Sequence, residues 1–228
     1  MTIDEAYQLI NYISNKKQRG NITPKEFNLL APLAQQELLM KKYGNPKTYR
    51  NGRTIPIIGY SMNKKTYDDV RPFVSNPTDL TVTNNEADYP SDYLHIDTLE
   101  REDGTRIKVV RTDEIGPIRK SAIVPPTEAY PYAALYSDKI RIYPNLSDAK
   151  IVYVRKPAKP NWDYTIVSGH PVYNASSTPG ETGAISVDFE FPEECHVEIC
   201  ILMLQHISIN LSEGELFQYS QVKESQGV

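Results

Sequence analysis

Apolar and polar residues alternate along two short stretches near the middle of the chain, Lys139-Ile140-Arg141-Ile142-Tyr143 and Lys150-Ile151-Val152-Tyr153-Val154-Arg155. A period of two suits strands with one buried face. Asn145-Leu146-Ser147-Asp148 between them is turn chemistry, so the two are expected to pair as an antiparallel hairpin. Ala133-Ala134-Leu135-Tyr136, followed by the turn Ser137-Asp138, adds a third strand and completes a meander. Upstream, Leu80-Thr81-Val82-Thr83 opens the β-rich part, and residues 94–99 and 106–111 are expected to pair across Asp103-Gly104. Residues 113–122 suggest a helical turn interrupted at Gly116-Pro117, and residues 162–192 read as irregular apart from a short strand at 185–189.

The ends of the chain carry helical periods instead. Thr2-Ile3-Asp4-Glu5 is a capping box, in which the threonine and the glutamate each satisfy the other's backbone N–H. Ala6, Leu9, Ile10 and Ile13 then share one helical face. Thr23-Pro24-Lys25-Glu26 repeats the signal, with Pro24 at the first helical position, where a missing N–H costs nothing. Phe27, Leu30, Ala31, Ala34 and Leu38 form its stripe; Pro32 is expected to kink or split this helix near Leu29, and Gly44 to stop it. The two helices are expected to form a hairpin. A short helix over 64–74 would turn Tyr67, Val70 and Phe73 inward. Residues 197–211 are apolar almost all round, which predicts a helix buried on most sides, in a core or between subunits. Ser212-Glu213-Gly214-Glu215 is a third capping box, followed by Leu216, Phe217 and Tyr219, a candidate docking segment.

Charge alters this picture in one region. Lys41, Lys42, Lys47, Arg50 and Arg53 lie in a stretch, 41–61, that lacks acids and is broken by Asn45-Pro46, Asn51-Gly52 and Pro56. It reads as an extended basic arm that touches a neighbouring chain or a nucleic-acid backbone, or as a solvated loop. Residues 86–114 are rich in acids. Over all 228 residues the formal net charge is −4, which argues against a dedicated duplex-DNA reader. The opening MTIDEAYQLI lacks a basic segment followed by an apolar run, so no secretion signal is expected, and no window approaches the roughly 20 apolar residues of a membrane span. Sixteen tyrosines against 5 phenylalanines and 1 tryptophan suit half-wet surfaces and interfaces.

Chemistry is hard to find. Cys195, His196, Cys200 and His206 are spaced wrongly for a metal on one helical face, and no CxxC or HExxH occurs. His95 and Asp97 share a face by strand alternation but have no nucleophile beside them. Asp68-Asp69 and Glu193-Glu194 read as acids at helix starts. No GxGxxG, P-loop or GxSxG is present. No enzyme, cofactor or metal site is expected.

The order of parts carries a resemblance. Two N-terminal helices, the sequence Pro90-Ser91-Asp92-Tyr93-Leu94, a strand written KIRIYP over 139–144, a strand ending YVRKP at 153–157, and a long apolar helix follow one another. This arrangement resembles the head-to-tail connector proteins of tailed bacteriophages, in particular the adaptor rings of short-tailed phages, the tail accessory factor and tubular tail protein A group. The opening TIDEAYQLINYISNKKQRGNITPKEFNLLAPLAQQELL is similar to a ring protein of crAss-like phages. The resemblance covers residues 2 to about 212; the stretch 163–183 has no counterpart in it.

The resemblance implies a homo-oligomeric ring of about twelve copies in the virion neck, bound beneath the portal, joined to downstream tail proteins and surrounding double-stranded DNA without specific binding. The fold implied is α+β. A helical bundle would be built from the N-terminal hairpin and the C-terminal helix, over 1–75 and 190–228, with a central antiparallel β-rich domain over 76–189. Lys41, Lys42, Lys47, Arg50, Arg53, Leu216, Phe217 and Tyr219 are the candidate subunit or portal interface. The alternative is a monomeric tail or baseplate module that binds a ligand through a tyrosine-rich β surface.

Overall fold

A computed structural model describes residues 1–14, 21–43, 49–50, 53–54, 60–175, 178–181 and 183–210. The fold is mixed α+β. In chain order the elements are α1 (Ile3–Ser14), α2 (Pro24–Tyr43), β1 (Tyr49–Arg50), β2 (Arg53–Thr54), α3 (Tyr60–Val70) with a 3-10 turn (Arg71–Phe73), β3 (Thr78–Asp79) and β4 (Glu86–Asp88). Then come β5 (Tyr93–Arg101), β6 (Lys108–Val110), α4 (Ile115–Lys120), β7 (Tyr132–Leu135), β8 (Lys139–Tyr143), β9 (Ala149–Arg155), β10 (Tyr164–Val167), β11 (His170–Tyr173) and α5 (Glu193–Asn210). The chain divides into two compact units, 1–72 with 157–228, and 73–156. Residues 157–189, expected in the β-rich part, belong to the helical unit.

The first two capping boxes form in the helical unit; the third, at 212–215, lies outside the described residues. Thr2 N–H donates to Glu5 at 2.9 Å and Glu5 N–H to the Thr2 hydroxyl at 3.2 Å; Thr23 and Glu26 repeat the exchange at 2.8 and 3.3 Å. Pro32 does not split α2, which runs unbroken for 20 residues. Phe27, Ala31, Ala34 and Leu38 on either side of it are buried, and this packing outweighs the lost hydrogen bond. The main helix packing of both α1 and α2 is against α5 rather than against each other. The reason is the composition of α5: Ile199, Cys200, Leu202, Met203 and Ile207 are all buried, so it offers apolar surface in several directions. In α3, Val70 faces inward as expected but Tyr67 is 63 % exposed. Asp69 occupies the inward face instead, drawn there by an ion pair described below.

The second unit packs two sheets over one core. One has the order β3-β9-β5 and the other β4-β8-β7-β6. Ile140 and Ile142 from β8 meet Leu99, Ile151 and Tyr153 from β5 and β9 in that core. The alternation therefore gives the buried face of β8 and, apart from the additional burial of Val154, that of β9, but the expected strand partner is corrected: β8 pairs with β7 and β4, and β9 pairs with β5 and β3. The segment between β8 and β9 is a crossover, because Leu146 drops into the core and Asp148 pairs with Arg101 of β5 at 2.9 Å. A second correction concerns the expected pairing of 94–99 with 106–111. It holds only near its turn, where Ile107 N–H donates to Leu99 C=O at 2.8 Å; β6 then leaves to run parallel to β7. Residues 80–83 are not a strand; Thr83 closes a tight turn onto Glu86 through Asn84 and Asn85, both at positive φ. Pro117 does not interrupt α4, since it lies in the first turn, where N–H groups have no helical partner.

Candidate interaction surfaces

The basic stretch separates into parts with different roles. Lys41 and Lys42 belong to the last turn of α2, where cations suit the helix dipole. Lys42 is a correction to the interface set. Its ammonium lies 2.9 Å from Asp69 of α3 and 3.1 Å from Glu198 of α5, with 14 % of the side chain exposed. Burial pulls its pKa down, but the hydrogen bonds it donates to the two carboxylates outweigh this and hold it above the ordinary lysine value. Lys42 thus ties three helices together and is not offered to a partner. Lys41 lies 3.9 Å from Glu37, one helical turn away, and Glu37 also meets His206 at 3.0 Å. Arg50 and Arg53 are register partners in the antiparallel β1–β2 pair. Lys47, Leu216, Phe217 and Tyr219 lie outside the described residues.

The stretch expected to be irregular holds a cluster of exposed apolar side chains. β10 and β11 form a hairpin whose turn, Ser168-Gly169, takes positive φ at both residues, as a tight two-residue turn requires. Its base is anchored. Trp162 stacks on Tyr7, Tyr164 and Tyr173, its indole N–H donates to Asp4 at 2.9 Å, and its backbone is bracketed by the Asn28 amide at 2.8 and 2.9 Å. Asp163, fully buried, accepts from Gly180 N–H at 2.6 Å and from the Asn174 amide at 2.8 Å. A Cβ on Gly180 would stand 2.5 Å from the Tyr164 carbonyl oxygen, so only glycine fits there. Beyond this base, Ile166, Val167 and Val172 are 57, 55 and 47 % exposed. Successive strand residues point to opposite faces, so both faces of the hairpin are apolar and open. On α2, Leu29 and Leu33, one helical turn apart, are also exposed.

The β-rich unit presents a different surface. On the outer face of the four-stranded sheet, cations lie over tyrosine rings: Arg119 over Tyr143 at 4.2 Å, Arg141 over Tyr136 at 4.5 Å and Lys108 over Tyr132 at 6.0 Å. Other tyrosines turn inward with their hydroxyls bonded, Tyr89 to the Tyr136 carbonyl at 2.8 Å and Tyr153 to Asp92 at 2.7 Å. Several acids of 86–114 are paired within the unit. Glu86 meets Lys139 and Arg141, both at 3.1 Å, and Asp113 meets Arg111 at 3.3 Å.

No protein-family model matches the chain, and no curated protein does. The candidate chemistry of the sequence is dispersed. Cys195 and Cys200 are free and buried; burial pushes their thiols up to about 11 and about 12, which keeps them protonated and unreactive near neutral pH. His196 is buried with one ring nitrogen 2.8 Å from the Phe191 carbonyl oxygen. Among the described residues no group of three or more His, Cys, Asp or Glu side chains could hold a metal ion. β5 shifts register between Ile96 and Thr98, so simple alternation no longer carries His95 and Asp97 to one face. Among the described residues no helix is long and apolar enough to cross a membrane. Sequence reasoning missed the hairpin at 164–173; the Ser168-Gly169 dipeptide directly after the β-branched run Thr165-Ile166-Val167 was the available signal.

Proposed function

We propose that the chain is a structural virion protein, one subunit of a ring that lies beneath the portal of a tailed phage and continues the DNA channel toward the tail. The observation that carries this reading is the clustered apolar exposure of the helical unit, on both faces of the β10–β11 hairpin and on Leu29 and Leu33 of α2. Patches of this kind mark surfaces that another chain covers. A subunit in a ring has two neighbours and needs two different contact surfaces. In this reading α1, α2 and α5 form a helical bundle on the portal side, and Lys41, Lys47, Arg50, Arg53, Leu216, Phe217 and Tyr219 contribute to contacts with neighbours or portal. The net charge of −4 suits a channel through which DNA must slide without being held.

The native mass of the purified chain over a concentration range, with electron microscopy of the same sample and of a mixture with the portal of the same phage, tests it. Closed rings, alone or on the portal, are the expected result. A chain that stays monomeric in both would overturn the reading. The row of cations over Tyr132, Tyr136 and Tyr143 favours a second reading, a monomeric tail or baseplate module that binds its ligand through this sheet face. Saturable ligand binding by a monomer, lost on replacing Tyr132 and Tyr143 with alanine, would support it.

A further inference from the structure

The end of α5 is aimed along an uncovered ridge of α2. Two ion pairs fix the direction: Lys42 meets Glu198 at 3.1 Å and Glu37 meets His206 at 3.0 Å. Residue numbers fall along α2 as they rise along α5, so the two helices run antiparallel and α5 heads toward the N-terminal end of α2. From Glu37 that end is reached through Leu33, Leu29 and Lys25, each one helical turn beyond the last. Residues four apart form one ridge of a helix surface. On this ridge Leu33 and Leu29 are 48 and 74 % exposed, and Lys25 is exposed too. The other side of α2 is already buried, through Phe27, Ala31, Ala34 and Leu38. Apolar residues on two sides of a helix call for cover on two sides.

The chain itself supplies the second cover. Asn210, the last residue of α5, lies one turn past His206 and so level with Leu33. Residues 211–228 follow. The stretch from 211 to Phe217 can span about 23 Å, against a helix diameter of about 10 Å, so it reaches around α2 to both leucines. Its sequence suits them. Ser212-Glu213-Gly214-Glu215 predicts a new helix start, after which Leu216, Phe217 and Tyr219 fall within about half the circumference of that helix. Residues 211–219 carry Glu213 and Glu215 and no cation, while the ridge ends in Lys25. Glu26, beside Lys25, is turned back to Thr23.

We propose that residues 211–219 fold back within the same chain and cover the Leu29–Leu33 ridge, with Leu216 and Phe217 over the leucines and the two acids toward Lys25. The segment acts as a strap. It closes the ridge in the single chain, and another chain gains the ridge only by displacing it. The tether favours this occupant, because a segment held a few residues from its site faces it at an effective concentration of about millimolar, against which a free partner must compete. The inference concerns one chain alone and does not rest on the ring reading.

Disulfide trapping in the full chain tests it. Leu29→Cys and Phe217→Cys together, oxidised mildly in dilute solution, should form an intrachain disulfide at least about fivefold faster than Tyr12→Cys with Phe217→Cys, whose first cysteine replaces an exposed residue of α1. Cys195 and Cys200 are buried and stay out of the reaction. Equal rates in the two variants overturn the proposal. A disulfide between chains rather than within one overturns it in favour of the same segment of a second copy. Leu216→Glu with Phe217→Glu gives a readout without added cysteines. It should raise the binding of an apolar fluorescent dye by about twofold, and adding Leu29→Gln and Leu33→Gln should cancel the rise. Unchanged dye binding in the glutamate variant also overturns the proposal.

Discussion

The helical and β-rich units solve the same problem with different means. The β-rich unit is held by a ladder and a layer: alternate apolar residues, Ile140, Ile142, Ile151 and Leu99, fill a core between two sheets. The helical unit relies on single polar side chains that reach backbone or charged groups far along the chain. Gln35, fully buried, donates to the Ala158 carbonyl at 2.8 Å and accepts from Glu190 N–H at 3.0 Å. Asn28 does the same for both backbone groups of Trp162. Lys42 gathers Asp69 and Glu198. An apolar layer tolerates changes of shape, because any residue of similar volume fills it. A buried polar tie does not, because removing one partner leaves the other desolvated and unmatched.

This contrast is open to attack by substitution. The largest effect is expected for Lys42→Met, a loss of about 3 kcal/mol in urea unfolding at neutral pH, since two part-buried carboxylates lose their cation. The raised pKa of Lys42 fixes the sign of the pH dependence. Its contribution is complete below the ordinary lysine value of 10.5 and is lost as pH rises through the higher folded-state value, so the gap between parent and variant should narrow above that range. Next comes Gln35→Met, nearly equal in volume, with an expected loss of about 2 kcal/mol from the stranded Ala158 and Glu190 backbone groups. Ile151→Val in the β-rich core should cost only about 1 kcal/mol. If the glutamine variant proved no worse than the valine variant, the contrast between the units would fail. The smallest effect is expected for Glu26→Ala, about 0.5 kcal/mol, because its partner Thr23 is local and exposed. The bond from Thr23 N–H, then that from its hydroxyl, depresses the Glu26 pKa; this contribution is present above the ordinary carboxylate value of 4.5 and disappears as pH falls through the depressed one.

The same contrast governs how much could be read from the sequence. Local patterns were legible: the capping boxes at 2–5 and 23–26, the near-uniform apolarity of α5, and the inward face of β8. What failed were statements about partners. Alternation over 139–143 and 150–155 says which side chains are buried but not which strand lies alongside, and here the burial of Leu146 and the Arg101–Asp148 pair decided it. Lys42 looked like part of a basic arm because its partners lie 27 and 156 residues away. The β10–β11 hairpin showed no alternation because, beyond Tyr164 and Tyr173 at its base, the residues of both faces are exposed. Its apolar residues read as loop for the same reason that they now read as surface. Of the candidate interface, Lys41, Arg50 and Arg53 are placed on α2 and on the β1–β2 pair, while the apolar exposure at 166–172 gave no signal that residue type alone could carry.

The chain has a single tryptophan, and Trp162 sits 2 % exposed in the helical unit, sandwiched among Tyr7, Tyr164 and Tyr173 with Asp4 on its indole nitrogen. Residues 73–156 contain tyrosines but no tryptophan. Emission excited at the red edge of the absorption band therefore comes from one unit only. A red shift of that emission during denaturation dates the opening of the helical unit, and far-ultraviolet ellipticity follows the whole chain. Two optical channels thus suffice to tell whether the units melt together or in turn, with no label attached.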